Sequence, residues 1–158
     1  MSMYFIGIDI SKYKHDCCII SAANQKVVSK VIIKNNKAGF NELLTIIHSL
    51  ANPEDIRIGC ESTAHYALNL ELFLENSLLT FMEVNPVLIS EYKKSKTLRR
   101  TKTDSVDCES IARWLMTVEY KPHSKGFYHA YSLKSLTRLR DKLIRQRSFY
   151  LVKITNVL

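Results

Sequence analysis

The hydrophobic period of this chain switches early from strand to helix, and that switch limits the fold more than any other feature. Residues 3–10 (MYFIGIDI) are short, apolar and β-branched, the pattern of a strand buried on both faces. Residues 14–21 (KHDCCIIS) and 25–33 (QKVVSKVII) follow at strand length, and the polar turn around Asn24 is short enough for a hairpin. Three such runs predict an antiparallel meander. The period then becomes helical: Phe40, Leu43, Leu44, Ile47 and Leu50 share a face, and Asn52-Pro53 ends the segment. Next come a short strand over 56–61 (IRIGCE), a helix over 66–75 and a strand over 78–84, and Asn85-Pro86 opens another helix. A meander followed by alternating strands and helices predicts an α/β chain, with a mixed five-stranded sheet covered by helices and right-handed crossovers.

Residues 93–102 (KKSKTLRRTK) read as a basic loop or frayed helix end, 104–120 as a helix, and the stretch around Pro122 and Gly126 as a linker. Residues 132–158 carry a long helical pattern with Leu133, Leu136, Leu143, Leu151, Ile154 and Leu158 as a broken stripe. No Gly or Pro stops it and the chain ends in mid-pattern, as expected of a piece cut within a longer helix. The predicted organisation is therefore a body over 1–120, then a linker and the start of a basic, coiled-coil-like helix over 121–158.

Charge follows the same division. Residues 1–120 hold 14 basic and 14 acidic side chains, whereas 121–158 hold 9 basic and 1 acidic, so the tail accounts for the whole net charge of +8. A neutral body with a cationic tail points to a polyanion reached through one element, most simply nucleic acid; the plainer alternative is a solvated basic helix. With 46% apolar and 24% charged residues, four Gly and three Pro, the chain is neither disordered, collagen-like nor a disulfide-stapled miniprotein. No apolar run approaches the ~18–20 residues of a membrane span, and no signal peptide is visible, so the expected location is cytoplasmic. Cys17, Cys18, Cys60 and Cys108 have neither CxxC nor zinc-site spacing and read as reduced, mostly buried small hydrophobes.

Four carboxylates stand out. Asp9 sits inside an apolar strand, where an uncompensated charge costs several kcal/mol, although an acid there can also bond the following turn. Glu61 ends a second apolar strand, at the carboxyl edge where open α/β sheets place their sites; an exposed strand-end charge is the alternative. Asp104 and Asp107 lie at i and i+3 in a helical first turn and share a face, where helix capping alone would also favour acids. Four converging acids cannot all stay ionised without a cation. Hard oxygen donors suit Mg²⁺ or Mn²⁺, and a two-metal carboxylate site serves in-line phosphodiester chemistry.

The segments Gly7-Ile8-Asp9-Ile10-Ser11-Lys12, Glu61-Ser62-Thr63-Ala64-His65-Tyr66, Val84-Asn85-Pro86 and Lys102-Thr103-Asp104-Ser105-Val106-Asp107, in this order, resemble those of the DEDD transposases. These are the Piv/MooV-like recombinases of the insertion-sequence one-hundred-and-ten family. The resemblance runs over nearly the whole chain, including Leu136-Thr137-Arg138-Leu139-Arg140. It implies a RuvC-like, ribonuclease-H-like domain followed by a long helix, with Asp9, Glu61, Asp104 and Asp107 as the metal-binding catalytic tetrad. It also implies DNA and a structured guide RNA as partners and a homo-oligomer, dimer or tetramer, joined through the C-terminal helix. The family's C-terminal domain with its nucleophilic serine is expected to lie outside this chain, so no serine here is assigned that role. Ala64 replaces the family's usual Gly and Cys108 its usual Ala; both are small and neither is a ligand.

The basic run Lys93, Lys94, Lys96, Arg99, Arg100 and Lys102 precedes Asp104 and would hold phosphates beside the metals. On the last helix Arg138, Arg140, Lys142, Arg145 and Arg147 alternate with apolar residues, and Tyr150 is placed to stack on a base. The expected function is metal-dependent DNA strand cleavage and exchange. The alternative is a nucleic-acid-binding and oligomerisation module without chemistry of its own. An actin-like kinase half shares the Gly7-to-Ser11 signature but needs a second phosphate loop, which this chain lacks.

Overall fold

The computed structural model describes residues 3–61, 66–96, 104–123 and 127–156. Three strands, β1 (Tyr4–Ile10), β2 (Lys14–Ser21) and β3 (Val27–Lys34), form the predicted meander. β1 pairs with β2 and β2 with β3, both antiparallel. At the β1–β2 turn the Ser11 N–H donates to Lys14 O at 3.2 Å, and the Ser11 hydroxyl donates to the same carbonyl. The β2–β3 turn bends at Gln25, whose φ of 55° puts it in the left-handed region. Asn24 supports it by accepting from the Lys26 N–H at 3.0 Å.

Helix α1 (Lys37–Leu50) then crosses to β4 (Ile56–Glu61), which runs parallel to β1. Asn36 caps α1 by accepting from the Gly39 N–H at 2.9 Å, and Phe40, Leu43 and Ile47 form its buried face. α2 (Leu68–Asn76) leads to β5 (Phe81–Val84), parallel to β4, which completes a five-stranded sheet in the order β3-β2-β1-β4-β5. α3 (Pro86–Lys96) and α4 (Asp104–Leu115) follow, then α5 (Phe127–Thr155).

Strand alternation divides the sheet between two helical layers. Ile8, Cys17 and Cys60 are register partners on one face, the face whose β2 residue His15 stacks on Phe40 of α1. On the other, Gly7 pairs with Cys18 and with Gly59. There Cys18 and Ile20 pack with Cys108 and Ala112 of α4, while Val84, Ile89, Ile111 and Leu115 form an adjoining cluster. The glycines make this possible. A Cβ on Gly7 would stand 2.1 Å from the Cys108 carbonyl oxygen and 2.4 Å from the Ala112 nitrogen, so the α4 backbone rests directly on β1. At Gly59 a Cβ would meet only the Leu115 side chain, at 2.6 Å.

The structure differs from the sequence reading mainly at helix ends. Of the two expectations for the basic run, a loop or a helix end, the described part is a helix end: Lys93, Lys94 and Lys96 close α3, because lysine is a good helix former and Pro86 opens the helix at a tolerated position. α4 stops at Leu115 instead of near 120; the Met116 and Thr117 N–H groups close it with short-range bonds to Arg113 O and Trp114 O. α5 begins at Phe127, inside the predicted linker.

The chain divides into two compact units, 1–123 and 124–158. The second contains α5, whose described side chains are exposed, among them Leu133, Leu136, Leu143, Leu151 and Ile154. Among the described residues no helix is long and apolar enough to cross a membrane.

Seating α4 on bare backbone makes Gly7 intolerant of any side chain. Gly7→Ala should destabilise the chain by about 1–3 kcal/mol or more through overpacking, read as a lowered melting temperature. Gly59→Ala should cost less, because Leu115 can rotate. Equal losses at the two positions would contradict this packing.

Candidate functional site

The same register that seats α4 gathers acids at one end of the sheet. Asp9, half-buried on β1, shares the α4-facing side with Gly7. One residue beyond the last pair of the β1–β4 ladder, Ile8–Cys60, each parallel strand carries an acid, Asp9 on β1 and Glu61 on β4. α4 supplies the third. Asp107 immediately precedes Cys108, whose carbonyl lies over Gly7. Asp104 opens α4 one turn earlier, but its side chain lies outside the described residues.

The electrostatics link two of these acids, Glu61 and Asp107, to each other and to Lys93. Burial pushes the Glu61 carboxyl above the usual glutamate range, the nearby Lys93 ammonium draws it back down, and the Asp107 charge raises it. Lys93 Nζ, from α3, is in hydrogen-bonded ion-pair contact with Asp107 Oδ1. Among the described residues no three His, Cys, Asp or Glu side chains are drawn together as a metal-binding group. What the described acids hold is the lysine ammonium. A cation seated against carboxylates of different elements fits a site whose oxygen donors suit a hard divalent ion.

One acid escaped the sequence reading. Asp16 on β2 is the direct cross-strand partner of Asp9, only 7% exposed, and forms an ion pair with Lys14 at 3.5 Å. It carries the same signal as Asp9, an acid leading into an apolar strand run, and drawing the β1–β2 register would have found it.

The other sequence candidates are placed as follows. Ser11 serves the β1–β2 turn, as expected. Lys94 is exposed on α3, and Lys96 ends that helix. Arg99, Arg100, Lys102, Ser62 and His65 lie outside the described residues. Arg138, Arg140, Arg145 and Arg147 are exposed on α5. There Arg138, Lys142, Arg145, Phe149 and Tyr150 line one shallow face at helical spacing. His15 is buried against Phe40, and burial lowers its pKa, which makes it a neutral core residue. The four cysteines are buried, and none forms a disulfide.

A second charge cluster ties α4 to the sheet edge. Glu109 pairs with Lys30 of β3 and with Arg113, each at 2.8 Å. The Lys30 ammonium, assisted by Arg113, holds its carboxyl below the usual range despite partial burial.

These features define a RuvC-type, ribonuclease-H-like α/β domain. The chain is similar to Thermus thermophilus RuvC, with a TM-score of 0.54 at 10% identity over 77% of this chain and 100% of that one. The same protein in complex with a Holliday junction substrate gives 0.53, also at 10% identity, over 77% and 99%. At that identity the likeness is one of fold. The family is set by sequence: the model of the IS110-type DEDD transposases, described as "Transposase", matches residues 6–158, and the chain belongs to that family. It is also 33% identical over 115 residues to the pilin gene-inverting proteins of Moraxella bovis and Moraxella lacunata. The match takes in 72% of this chain and 34% of each relative, so the chain spans about a third of their length.

Because the Glu109 carboxyl ionises at lower pH folded than unfolded, its stabilisation is complete above the ordinary glutamate range and fades as pH falls through the folded value. Glu109→Gln should therefore lower stability near pH 7 by about 1 kcal/mol or less, the partly exposed pairs being screened. The gap from the parent should close on acidification below about pH 4. Melting curves across that range test it, and a gap that widens in acid would overturn the assignment.

Proposed function

We propose that this chain is the RuvC-like catalytic part of a DNA transposase or recombinase, performing metal-dependent strand cleavage and exchange. Residues 1–120 form the nuclease domain, and residues 121–158 are the linker and the start of a basic helical segment. The observation that carries this reading is the Lys93 ammonium shared by two acids of different elements, Asp107 of α4 by contact and Glu61 of β4 through its field, with Asp9 on the same face of the adjoining strand β1.

Asp9, Glu61, Asp104 and Asp107 would hold Mg²⁺ or Mn²⁺, which when bound would supply Lewis-acid activation of the phosphodiester and stabilise the leaving oxygen. The two strand acids are fixed by the sheet ladder, and the helical pair can be positioned only as well as α4 is seated on β1. Lys93, Lys94, Lys96, Arg99, Arg100 and Lys102 would bring DNA phosphates towards the acids. Arg138, Arg140, Arg145 and Arg147 would contact DNA or a structured guide RNA, with Tyr150 offering a stacking surface. The apolar stripe of α5 would join copies of the chain into a dimer or tetramer. A cytoplasmic location agrees with such partners.

A second reading draws on α5 itself, which exposes a cationic face and an apolar stripe on one helix. It makes the chain a nucleic-acid-binding and oligomerisation module without chemistry of its own.

Asparagine at the acids separates the two. In a protein that joins this chain to the family's C-terminal serine domain, without which the chain is expected to be inactive, Asp9→Asn and Asp107→Asn should each reduce cleavage of a DNA substrate by more than the ~10–100-fold typical of losing an outer-shell group, while nucleic-acid binding persists. Unchanged cleavage by both variants favours the binding module. Replacing Arg138 and Arg140 together by Ala should weaken nucleic-acid binding and lower its salt slope by about one per lost phosphate contact; an unaltered slope would remove α5 from the interface.

A further inference from the structure

Lys93 does not behave as a lysine that reaches for DNA. A surface lysine keeps its ammonium in water and buries only its stem, as its neighbour Lys94 is free to do on the exposed side of α3. The Lys93 side chain is 32% exposed, and its Nζ is held against Asp107 Oδ1, itself 22% exposed. Two elements of the sheet–helix layer thus feel one ammonium: Asp107 on α4 by contact and Glu61 on β4 through its field.

An ammonium taken partly out of water must be compensated by carboxylates, and carboxylates crowded together must be compensated by a cation. Lys93 and Asp107 meet this need for each other. The same Asp107 carboxylate is also one of the proposed divalent-metal ligands, and two cations competing for it repel each other at close range.

We propose that Lys93 is the built-in counter-cation of the acidic site, and that a divalent metal and the Lys93 ammonium are alternative occupants, so metal binding expels Lys93 from Asp107. This rests on the metal-site reading above. Lys93 is then a positioning residue: it keeps Asp107 and Glu61 compensated before metal arrives, and on metal binding its charge is freed on the α3 side of the site.

The test uses the full chain with Mn²⁺ as probe. Replacing Lys93 by Met keeps length and removes charge. Lys93→Met should bind Mn²⁺ about two- to fivefold more tightly by calorimetry, the range of a partly exposed ion pair. It should melt lower than the parent in EDTA and recover most of that difference in saturating Mn²⁺. Lys94→Met, the charge-matched control, should do neither. Equal or weaker Mn²⁺ binding by Lys93→Met overturns the proposal.

The parent chain supplies a measurement that does not depend on the variant folding. Reductive methylation read by mass spectrometry should find Lys93 slow in EDTA and faster in Mn²⁺, with Lys94 constant. Unchanged protection of Lys93 while calorimetry registers Mn²⁺ also overturns it. The two levels of inference separate through Asp107→Asn. Mn²⁺ binding lost in Asp107→Asn but indifferent to Lys93 defeats only the counter-cation. No Mn²⁺ binding by the parent or Lys93→Met defeats the metal site and the counter-cation together.

Discussion

The contact between the α4 backbone and the β1 backbone at Gly7 is the constraint on which the rest of the candidate site depends. Helices usually stand off a sheet by the thickness of their side chains. Here the Cys108 carbonyl and the Ala112 nitrogen occupy the volume where a β1 side chain would lie. That contact fixes α4 in height and along its axis, since displacement in either direction brings a larger group over Gly7. Ala112 on the helix and Gly59 on the neighbouring strand widen the bare strip, and Leu115 fills it at the far end. Asp107 inherits this precision because it precedes Cys108. Its distance from the strand acids is set by close-packed backbone and not by a flexible loop.

Once α4 is fixed, electrostatics become the difficulty. Asp16, Asp9 and Glu61 stand on three adjacent strands, β2, β1 and β4, and Asp107 of α4 acts on Glu61. Burial raises the cost of the Glu61 charge, and the Asp107 carboxylate adds to it. The described structure answers with local cations: Lys14 at Asp16 and Lys93 at Asp107. Glu109, one turn or less from the acids, is matched separately by Lys30 and Arg113 and so adds nothing to the repulsion. A fold that only needed stability would have placed apolar side chains here, as it does one step along the same strands at Cys18 and Ile20. Retaining acids, and partnering them with mobile lysines, preserves a place that another cation can take.

The sequence disclosed the parts of this arrangement that depend on local pattern. Runs of β-branched residues and a change to helical period were enough to lay out five strands and the helices between them. Asp9 and Glu61 were legible because an acid within an apolar strand has few structural explanations. The parts that escaped depend on contacts between distant segments. Asp16 lies within a run that reads as a strand, but its pairing with Asp9 appears only when the hairpin register is drawn. Lys93 was hidden among six cations; nothing local distinguishes it from Lys94, and its partner is 14 residues away on another helix. Helix ends were displaced for related reasons. α4 stops where Met116 and Thr117 switch to shorter-range bonds, and α5 starts at Phe127, where a nearby Gly and Pro implied a linker.

The division of charge along the chain acquires a physical purpose in this setting. An acidic cluster repels phosphates, so under the proposed function a site made only of carboxylates would lower the local concentration of its own substrate. The excess positive charge lies in another part of the sequence, residues 121–158, and a net charge of that sign attracts polyanions at long range. Attraction at a distance and chemistry at short range then make opposite demands on sign, and the chain meets them with different elements. Lys93 stands where those demands meet. Bound to Asp107, it lowers the repulsion the site presents; released, as proposed, it would add a cation beside the site. One side chain can serve both states because a lysine's charge is fixed at neutral pH while its four-carbon stem leaves the position of that charge free.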